Sequence, residues 1–353
     1  MRKIDTVLDI AFTEGASDVH IATQSPPIIR KHGRLEKLHA EPVTPEQSLE
    51  IVRSILDDKQ WEVLKNKGQV DFAYALKGKA RFRVNAYRQR GSYNLAFRLI
   101  NDKIPSMEQL RLPSLLKDLS MKQRGLILVT GPTGSGKSTT LAAMVDHMNR
   151  VRNDHIITIE DPIEYLHRHG NCVINQRELG GDTLTFDGAL RAALRQDPDV
   201  IQVGEMRDLE TIATALTAAE TGHLVMSTLH TVGGAKSIDR IVDAFNADQQ
   251  GQIRLQLSTV LEAIISQQII PRADGKGRVV ALEIMIATPA IRNLIREAKT
   301  PQIQTQIQTG SKFGMRTMDA SLIMLYRNGD ISLENLKRYA VDHEYISREI
   351  GVI

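Results

Sequence analysis

The chain has 353 residues, of which 42% are hydrophobic and 25% charged, a composition typical of globular proteins with one or two domains. Its 45 Lys and Arg residues against 42 Asp and Glu residues give a net charge of +3, too small to indicate a nucleic-acid partner. No apolar run approaches the roughly 18 residues that span a bilayer, and the N-terminal segment carries acidic residues where a secretory signal is apolar, so we expect a soluble cytoplasmic protein. One cysteine, Cys172, excludes an intrachain disulfide and a multi-cysteine zinc site, and we expect it to be a small buried residue.

The first 100 residues show a mixed pattern. Helical periodicity predicts helices near 4–14 and 45–65, and apolar–polar alternation predicts strands in 81–90 and 94–100. We therefore predict a small α+β domain over 1–100, followed by a proline-containing linker over 101–118.

Residues 119–287 have a different texture, in which short apolar runs alternate with helical segments. This predicts a mainly parallel sheet covered by helices, with its clearest strands in GLILVT, HIITIE, DVIQVGE and HLVMSTLH. Ligands bind at the carboxyl ends of such strands, so we expect 130–138, 160–164, 204–205 and 227–230 to converge. From 288 to 353 we predict a helical region, with Thr288 as N-cap and Pro289 at the first helical position of a segment TPAIRNLIRE.

A phosphate-binding loop is predicted by GPTGSGKS, Gly131 to Ser138, because it matches G-x-x-x-x-G-K-[ST] between a strand and a helix. In such loops backbone N–H groups surround the phosphates, the lysine reaches the β and γ phosphates, and the Ser or Thr hydroxyl binds magnesium. We therefore predict ATP and Mg²⁺ as ligands. The predicted nucleotide contacts are Thr133, Gly134, Ser135, Gly136, Lys137, Ser138 and Thr139.

Acidic side chains follow two other predicted strands. Glu160, Asp161 and Glu164 come after HIITIE, where a carboxylate could orient the attacking water, although solvated loop acids would look the same. The strand at 200–203 ends in Gly204 and Glu205, where an aspartate facing magnesium would be usual. His230 follows the fourth strand and could hydrogen-bond to the γ phosphate, while His223, before that strand, is a weaker candidate.

Taken together, GPTGSGKSTTLAAM, ITIEDPIEY, LRQDPDVIQVGEMRDLET and TALTAAETGHLVMSTLHT closely resemble the four motifs of the ATPases that power type II secretion and type IV pili. GASDVHI and RFRVNAY extend the resemblance into the first domain. TPAIRNLIRE is similar to the segment associated with the retraction branch, the PilT-like motors.

The resemblance implies a PAS-like N-terminal domain joined to a RecA-like P-loop ATPase core, within an α/β fold that ends in a helical C-terminal region. It also implies a homohexamer with ATP and Mg²⁺. By motif position Glu164 would be the catalytic glutamate, Glu205 the acid that supports magnesium together with Ser138, and His223 and His230 the histidines of the fourth motif. Arg81, Arg83 and Arg98 match positions from which the first domain supplies arginines to the phosphates, although a solvated basic edge would look similar.

The motifs therefore predict an ATP hydrolase that drives pilus retraction by pulling on an inner-membrane platform protein. It would meet the membrane only through that partner and would not bind nucleic acid. A pilus-extension or type II secretion ATPase is the nearest alternative, and a nucleic-acid translocase or a nucleotide-dependent regulator is a more distant one. In the AIRNLIRE helix we expect Ile291, Leu294 and Ile295 in the core, with Arg292, Arg296 and Glu297 on the solvated face.

Overall fold

The computed structural model describes residues 3–31, 33–100 and 103–351, which fall into two compact units. Unit 1 contains the described residues up to Lys103 together with Glu164–Leu166, and unit 2 contains Ile104–Ile163 and the described residues from His167 onward. Two residues of the predicted linker, Asn101 and Asp102, lie outside the described residues, and so do Met1, Arg2, His32, Val352 and Ile353.

Unit 1 is a six-stranded antiparallel sheet with three helices, and its strands follow the order β3-β2-β1-β6-β5-β4. The elements are α1 (Lys3–Thr13), β1 (Asp18–Ile21), β2 (Ile28–Lys31), β3 (Arg34–Lys37), α2 (Pro45–Ile55), α3 (Asp58–Lys67), β4 (Gln69–Leu76), β5 (Ala80–Gln89) and β6 (Ser92–Ile100).

The single helix predicted over 45–65 is wrong, because the chain forms two helices there. Leu56 is extended, and Asp57 begins α3 with a capping box, in which its side chain accepts from the N–H of Gln60 while the Gln60 side chain accepts from the N–H of Asp57. The D-x-x-Q pattern was a readable signal for this second N-terminus.

Apolar and charged residues alternate along β5, and this alternation determines which face of the unit 1 sheet carries charge. Phe82 and Val84 are buried in the core, where the Phe82 ring meets Phe97 edge-on at 6.2 Å between centroids. Arg81 and Arg83 lie on the opposite face of the strand, as predicted from the period of two.

Unit 2 is built on a seven-stranded sheet with the order β13-β12-β7-β11-β10-β8-β9, in which every neighbouring pair is parallel except β12 and β13. Its strands are β7 (Gly125–Thr130), β8 (His155–Glu160), β9 (Val173–Glu178), β10 (Val200–Val203), β11 (Leu224–Leu229), β12 (Leu261–Pro271) and β13 (Arg278–Ile286). Its α-helices are α4 (Leu115–Ser120), α5 (Lys137–Val151), α6 (Phe186–Ala193), α7 (Leu209–Glu220), α8 (Gly234–Val242), α9 (Ala247–Val260), α10 (Pro289–Arg296), α11 (Ile303–Thr309), α12 (Met318–Arg327), α13 (Leu333–Tyr339) and α14 (His343–Ile350). Short 3₁₀ turns cover Thr300–Gln302 and Ser311–Phe313.

Helices cover both faces of this sheet, which explains why the central strands β7, β10 and β11 are buried and mostly apolar. One core cluster joins residues of β7, β8, β10 and β11 to α6, α7, α8, α9, α10 and α11, and another joins the opposite face to α4 and α5. Cys172 lies buried in the second cluster, as predicted, and its thiol donates to the backbone oxygen of Arg152 at 3.3 Å.

The C-terminal region is helical, as predicted. Thr288 caps α10 by accepting from the N–H of Ile291, and Pro289 opens the helix. Ile291 and Ile295 are buried in the core. The predicted α/β class with a parallel sheet and a helical C-terminal region is therefore confirmed, whereas the PAS-like character of unit 1 stays a prediction. Among the described residues, none of the helices has the length and apolarity required to cross a bilayer.

Candidate functional site

The carboxyl ends of the central strands lie side by side in unit 2. Thr130 of β7 is paired with Leu229 of β11 on one side and with Ser266 of β12 on the other, and Val203 of β10 is paired with Ser227. The segments that follow β7, β10 and β11 therefore start from one edge of the sheet, where ligands of α/β proteins bind.

The predicted phosphate loop leaves this edge after β7 and ends where α5 begins at Lys137. Gly131 has φ +141, and a Cβ atom built on it would lie 2.3 Å from the backbone oxygen of Gln267, so a larger residue does not fit. Gly136 forms a left-handed N-cap with φ 84, which leaves the N–H groups of the first turn of α5 to face a ligand.

Lys137 is folded back onto this loop. Its Nζ donates to the backbone oxygens of Gly131 at 2.9 Å and Pro132 at 3.1 Å, and the side chain is buried. A nucleotide phosphate in the loop would offer the ammonium group a charged acceptor in place of these neutral carbonyls, which is a stronger hydrogen bond.

Gln267 of β12 holds the loop from the neighbouring strand, and sequence reasoning missed it. Its Nε2 donates to the backbone oxygen of Ser135 at 2.5 Å, and its Oε1 accepts from the Thr140 hydroxyl at 3.0 Å. The side chain is buried, so both bonds are shielded from water. The available signal was the polar SQQ triplet, Ser266 to Gln268, within an otherwise apolar strand.

Gly204 explains why β10 does not end in an aspartate. Its N–H donates to the backbone oxygen of Ile159 at 2.7 Å, and its backbone oxygen accepts from the Thr228 hydroxyl at 2.7 Å. A Cβ atom at this position would lie 3.2 Å from the same Ile159 oxygen, so a side chain would press against β8. Glu205 is the first residue after β10 that carries a carboxylate.

Glu205, Arg207 and His230 form a charged cluster beside the phosphate loop. The Glu205 side chain is only 11% exposed, and its two oxygens meet Arg207 Nη2 at 2.5 Å and His230 Nε2 at 3.2 Å. Because a carboxylate only accepts, Nε2 carries the proton, and His230 Nδ1 lies 3.5 Å from the Thr133 hydroxyl of the phosphate loop. The structure thus joins two predicted site residues, Glu205 and His230, to the loop.

The donor set fits magnesium. Ser138, half-buried in the first turn of α5, and Glu205 offer hard oxygen atoms, and Mg²⁺ binds few protein ligands while keeping several waters. Within the described ranges no cluster of three or more His, Cys, Asp or Glu residues could hold a metal. Since Arg207 and His230 already contact both Glu205 oxygens, support of the ion through water fits this geometry best.

The acidic residues at the end of β8 and just after it divide into buried and exposed members. Glu160 is buried and accepts from the Thr158 hydroxyl at 2.6 Å and from Gln176 at 3.1 Å. Asp161 and Glu164 are exposed, and the Glu164 side chain forms no hydrogen bond or ion pair with any described residue. Glu164 therefore keeps its oxygens available, whereas Glu160 is held in the fold.

His223 lies at the opposite end of β11 from His230. Its Nδ1 donates to the backbone oxygen of Ala218 at 2.9 Å, and its own backbone oxygen accepts from Gly125, the first residue of β7. Six strand residues separate the two histidines, a distance of about 23 Å. Within one chain, then, the fold does not bring His223 to the phosphate loop.

The three candidate arginines belong to unit 1. Arg83 and Arg98 are cross-strand partners on β5 and β6, and with Asp18, His20 and others they line a cavity of about 350 Å³. Arg98 Nε donates to Asp18 at 2.9 Å. Burial raises the pKa of Asp18, but hydrogen bonds from Ser17 and Arg98 outweigh it and leave that pKa below its ordinary value.

A parallel sheet, a glycine-rich loop that leads into a helix, and an acid–histidine pair at the same edge define a nucleotide-binding protein of the P-loop class. The chain belongs to the family described as type II/IV secretion system protein, whose model matches residues 1–310.

Relatives match over nearly their whole length. The chain is 50% identical over 337 residues to the type IV pilus retractation ATPase PilT of Pseudomonas aeruginosa, covering 96% of this chain and 98% of that protein. It is 50% identical over 321 residues to a twitching motility protein of Neisseria gonorrhoeae, covering 91% and 86%. The crystal structure of the pilus retraction motor PilT with bound ADP superposes with a TM-score of 0.93 at 47% identity, covering 98% of this chain and 99% of that one. These comparisons confirm the predicted resemblance to retraction-type ATPases.

Proposed function

We propose that this chain is the subunit of a homohexameric motor that hydrolyses ATP to drive type IV pilus retraction. Its phosphate loop in contact with the Glu205–His230 pair supports the hydrolytic part of this proposal. Near full-length similarity to a PilT retraction ATPase supports the retraction part. We further propose that it acts at the cytoplasmic face of the inner membrane through a platform protein and does not bind nucleic acid.

Binding of ATP rests on the loop and the first turn of α5. The backbone N–H groups from Thr133 to Thr139 surround the phosphates, and Lys137 exchanges its carbonyl partners for the β and γ phosphates. Bound Mg²⁺, near Ser138 and Glu205, would neutralise charge that develops on the phosphates. His230, hydrogen-bonded between Glu205 and Thr133, is placed to respond to the γ phosphate.

Hydrolysis also needs a group that orients or deprotonates the attacking water. We assign this role to Glu164, whose carboxylate has no partner among the described residues and is free to accept a proton. Glu205 serves in positioning instead, because both its oxygens already receive donors.

The domain assignment proposed for this motor follows the motifs: a PAS-like domain over 1–100, a linker over 101–118, a RecA-like core over 119–287 and a helical region over 288–353. Arg81, Arg83 and Arg98 would supply positive charge to the phosphates in some states of the ring, a contribution worth about 10³ to 10⁵ in rate for an inserted arginine. Arg98 must leave Asp18 to do so.

ATP hydrolysis by the purified full-length chain and by Lys137→Ala tests the enzymatic proposal. We expect phosphate release by the wild-type chain and its loss in the variant, because Lys137 holds the transferred phosphate. Slow hydrolysis that is insensitive to Lys137→Ala would instead identify a nucleotide-dependent regulator.

Deletion of the gene, followed by imaging of surface pili, tests the direction of the motor. Abundant pili that do not retract are expected. Loss of pili would show that the chain drives extension, and unchanged, retracting pili would remove it from this system.

A further inference from the structure

Glu283 is a buried carboxylate that three separate elements contact. It lies on β13 with only 5% of its surface exposed. Its Oε1 accepts from the N–H of Gly234, the first residue of α8, at 2.9 Å. Burial has the larger effect and raises the pKa of this carboxylate, whereas the Gln304 side chain of α11 and the N–H of Met318, the first residue of α12, also act on it and lower that pKa.

On one side this carboxylate fixes the segment that carries His230. Only four residues, His230 to Gly233, connect the end of β11 to the start of α8. The Thr231 hydroxyl of this segment and the Ser237 hydroxyl of α8 form a hydrogen bond of 2.7 Å, which connects the segment to the first turns of the helix. The position of His230 is therefore set by the sheet at one end and by the start of α8, bonded to Glu283, at the other.

On the other side the carboxylate fixes the C-terminal helices. The residues on either side of Glu283 bond to α12 and to the segment before it: the N–H of Leu282 donates to the Ser321 hydroxyl at 3.0 Å, and the N–H of Ile284 donates to the Arg316 backbone oxygen at 2.9 Å. Glu283 itself accepts from the N-terminus of α8, an arrangement that the helix dipole favours. If either helix moved away, a buried carboxylate would lose a donor, which is costly in a site shielded from water. We therefore expect the first turns of α8 and α12 to move together.

We propose that Glu283 is a positioning residue that couples the C-terminal helices to His230, so that displacement of α11 and α12 alters the histidine that faces the phosphate loop. The inference rests on the proposed ATPase function. It gives a physical route by which a load on the C-terminal region reaches the nucleotide site without any contact to nucleotide.

The test compares Glu283→Gln with Asp187→Asn in the full-length assembled chain. Asp187 is a half-buried carboxylate of α6, outside the proposed route, and its Oδ1 accepts from the Thr214 hydroxyl at 2.6 Å. We expect Glu283→Gln to lower kcat for ATP about fivefold or more, with KM for ATP and affinity for an ADP analogue within about twofold, because the loop itself is untouched. Asp187→Asn should leave kcat and KM near wild type.

Two further readouts separate positioning from loss of structure. His230→Ala combined with Glu283→Gln should lower kcat no further than His230→Ala alone, since both changes act through the histidine. Hydrogen exchange at 231–237 should accelerate in Glu283→Gln and not in Asp187→Asn. If Glu283→Gln does not fold, Gln304→Leu removes one donor from the C-terminal side and should lower kcat in the same way.

Unchanged kcat in Glu283→Gln, or losses that multiply in the double variant, would overturn the coupling. Absence of ATP hydrolysis in the wild-type chain would refute the proposed function instead. In that case the exchange at 231–237 still reports whether Glu283 fixes the His230 segment, and unchanged exchange there would overturn the inference by itself.

Discussion

Arg292, in the AIRNLIRE segment, provides the sharpest test of how this region is built. We expected it on the solvated face of α10, and that expectation is wrong. Its Nη1 donates to the backbone oxygens of Ser258 at 2.8 Å and Thr259 at 2.7 Å, in the last turn of α9, where carbonyls lack helical partners. Its Nε donates to Ala287 at 2.9 Å, and its Nη2 donates to Glu262 at 2.8 Å.

Replacing Arg292 by Met keeps the apolar stem but removes every donor. Ser258 and Ala287 are buried, so water cannot readily replace those two bonds, each worth about 1.5–3 kcal/mol because the donor is charged. Because the Arg292 side chain is 23% exposed, we take the lower value of this range for each of the two buried hydrogen bonds. We add nothing for the bond to Glu262, which keeps its ion pair with Lys122. The expected loss is about 3 kcal/mol in the free energy of unfolding, or about 6–12 °C in Tm.

Thermal and denaturant unfolding of the full-length chain, followed by far-UV circular dichroism, measures this loss. Arg296→Met is the matched control, because Arg296 is exposed on the same helix and contacts only Asn293, at 3.3 Å, among the described residues. The control should stay within about 0.5 kcal/mol of wild type. If Arg292→Met also stays within that range, the bonds to α9 contribute little and the residue acts elsewhere, for example in binding a partner.

Three other changes test the site and the fold. Gln267→Leu should weaken binding of a fluorescent ADP analogue about fivefold to twentyfold, since two buried hydrogen bonds that shape the phosphate loop are lost, and unchanged affinity would contradict that role. Glu164→Gln and Glu205→Gln should each lower kcat about a hundredfold, measured by phosphate release, and if both retain full hydrolysis neither assigned role survives. Burial lowers the pKa of His167 from 6.5 to about 4, so the unfolded chain binds a proton first as pH falls. The stability this residue contributes, about 3 kcal/mol, is present above pH 6.5 and is lost on acidification towards pH 4, a dependence that urea unfolding should show and His167→Gln should remove.

A helix or strand was predictable wherever its own sequence contained a recognisable pattern. The strands β7, β8, β10 and β11 are short apolar runs that end in small or polar residues, and Thr288 with Pro289 is a complete helix start. The hydrogen bonds of Arg292 were not predictable, because its partners in α9 and after β13 lie far from it in sequence or across a turn. Amphipathic spacing shows which residues face the core but not what a long side chain at the edge of that face can reach.

Site residues within one continuous motif were predictable from the sequence. Residues that reach the site from a neighbouring strand were less so. GPTGSGKS locates the phosphate loop because the local sequence contains all of its backbone requirements. Gln267 and Glu283 act from β12 and β13, and strand order within a sheet decides which of their neighbours they meet. A buried polar residue in an apolar strand indicates only that some partner exists, since it must be hydrogen-bonded.

The strand β10 is followed by Gly204 rather than by an aspartate, at a point where the chain runs close to β8. A Cβ atom at Gly204 would make a tight 3.2 Å contact with the Ile159 carbonyl oxygen, and the first carboxylate comes one residue later, where it contacts Arg207 and His230. A carboxylate that already receives two donors is well fixed but poorly placed to take a proton from water. Glu164 has the opposite properties, because it is exposed and unbonded among the described residues. These different surroundings agree with the tasks that we propose for the two glutamates, in which Glu205 positions the ion and the histidine and Glu164 serves the water.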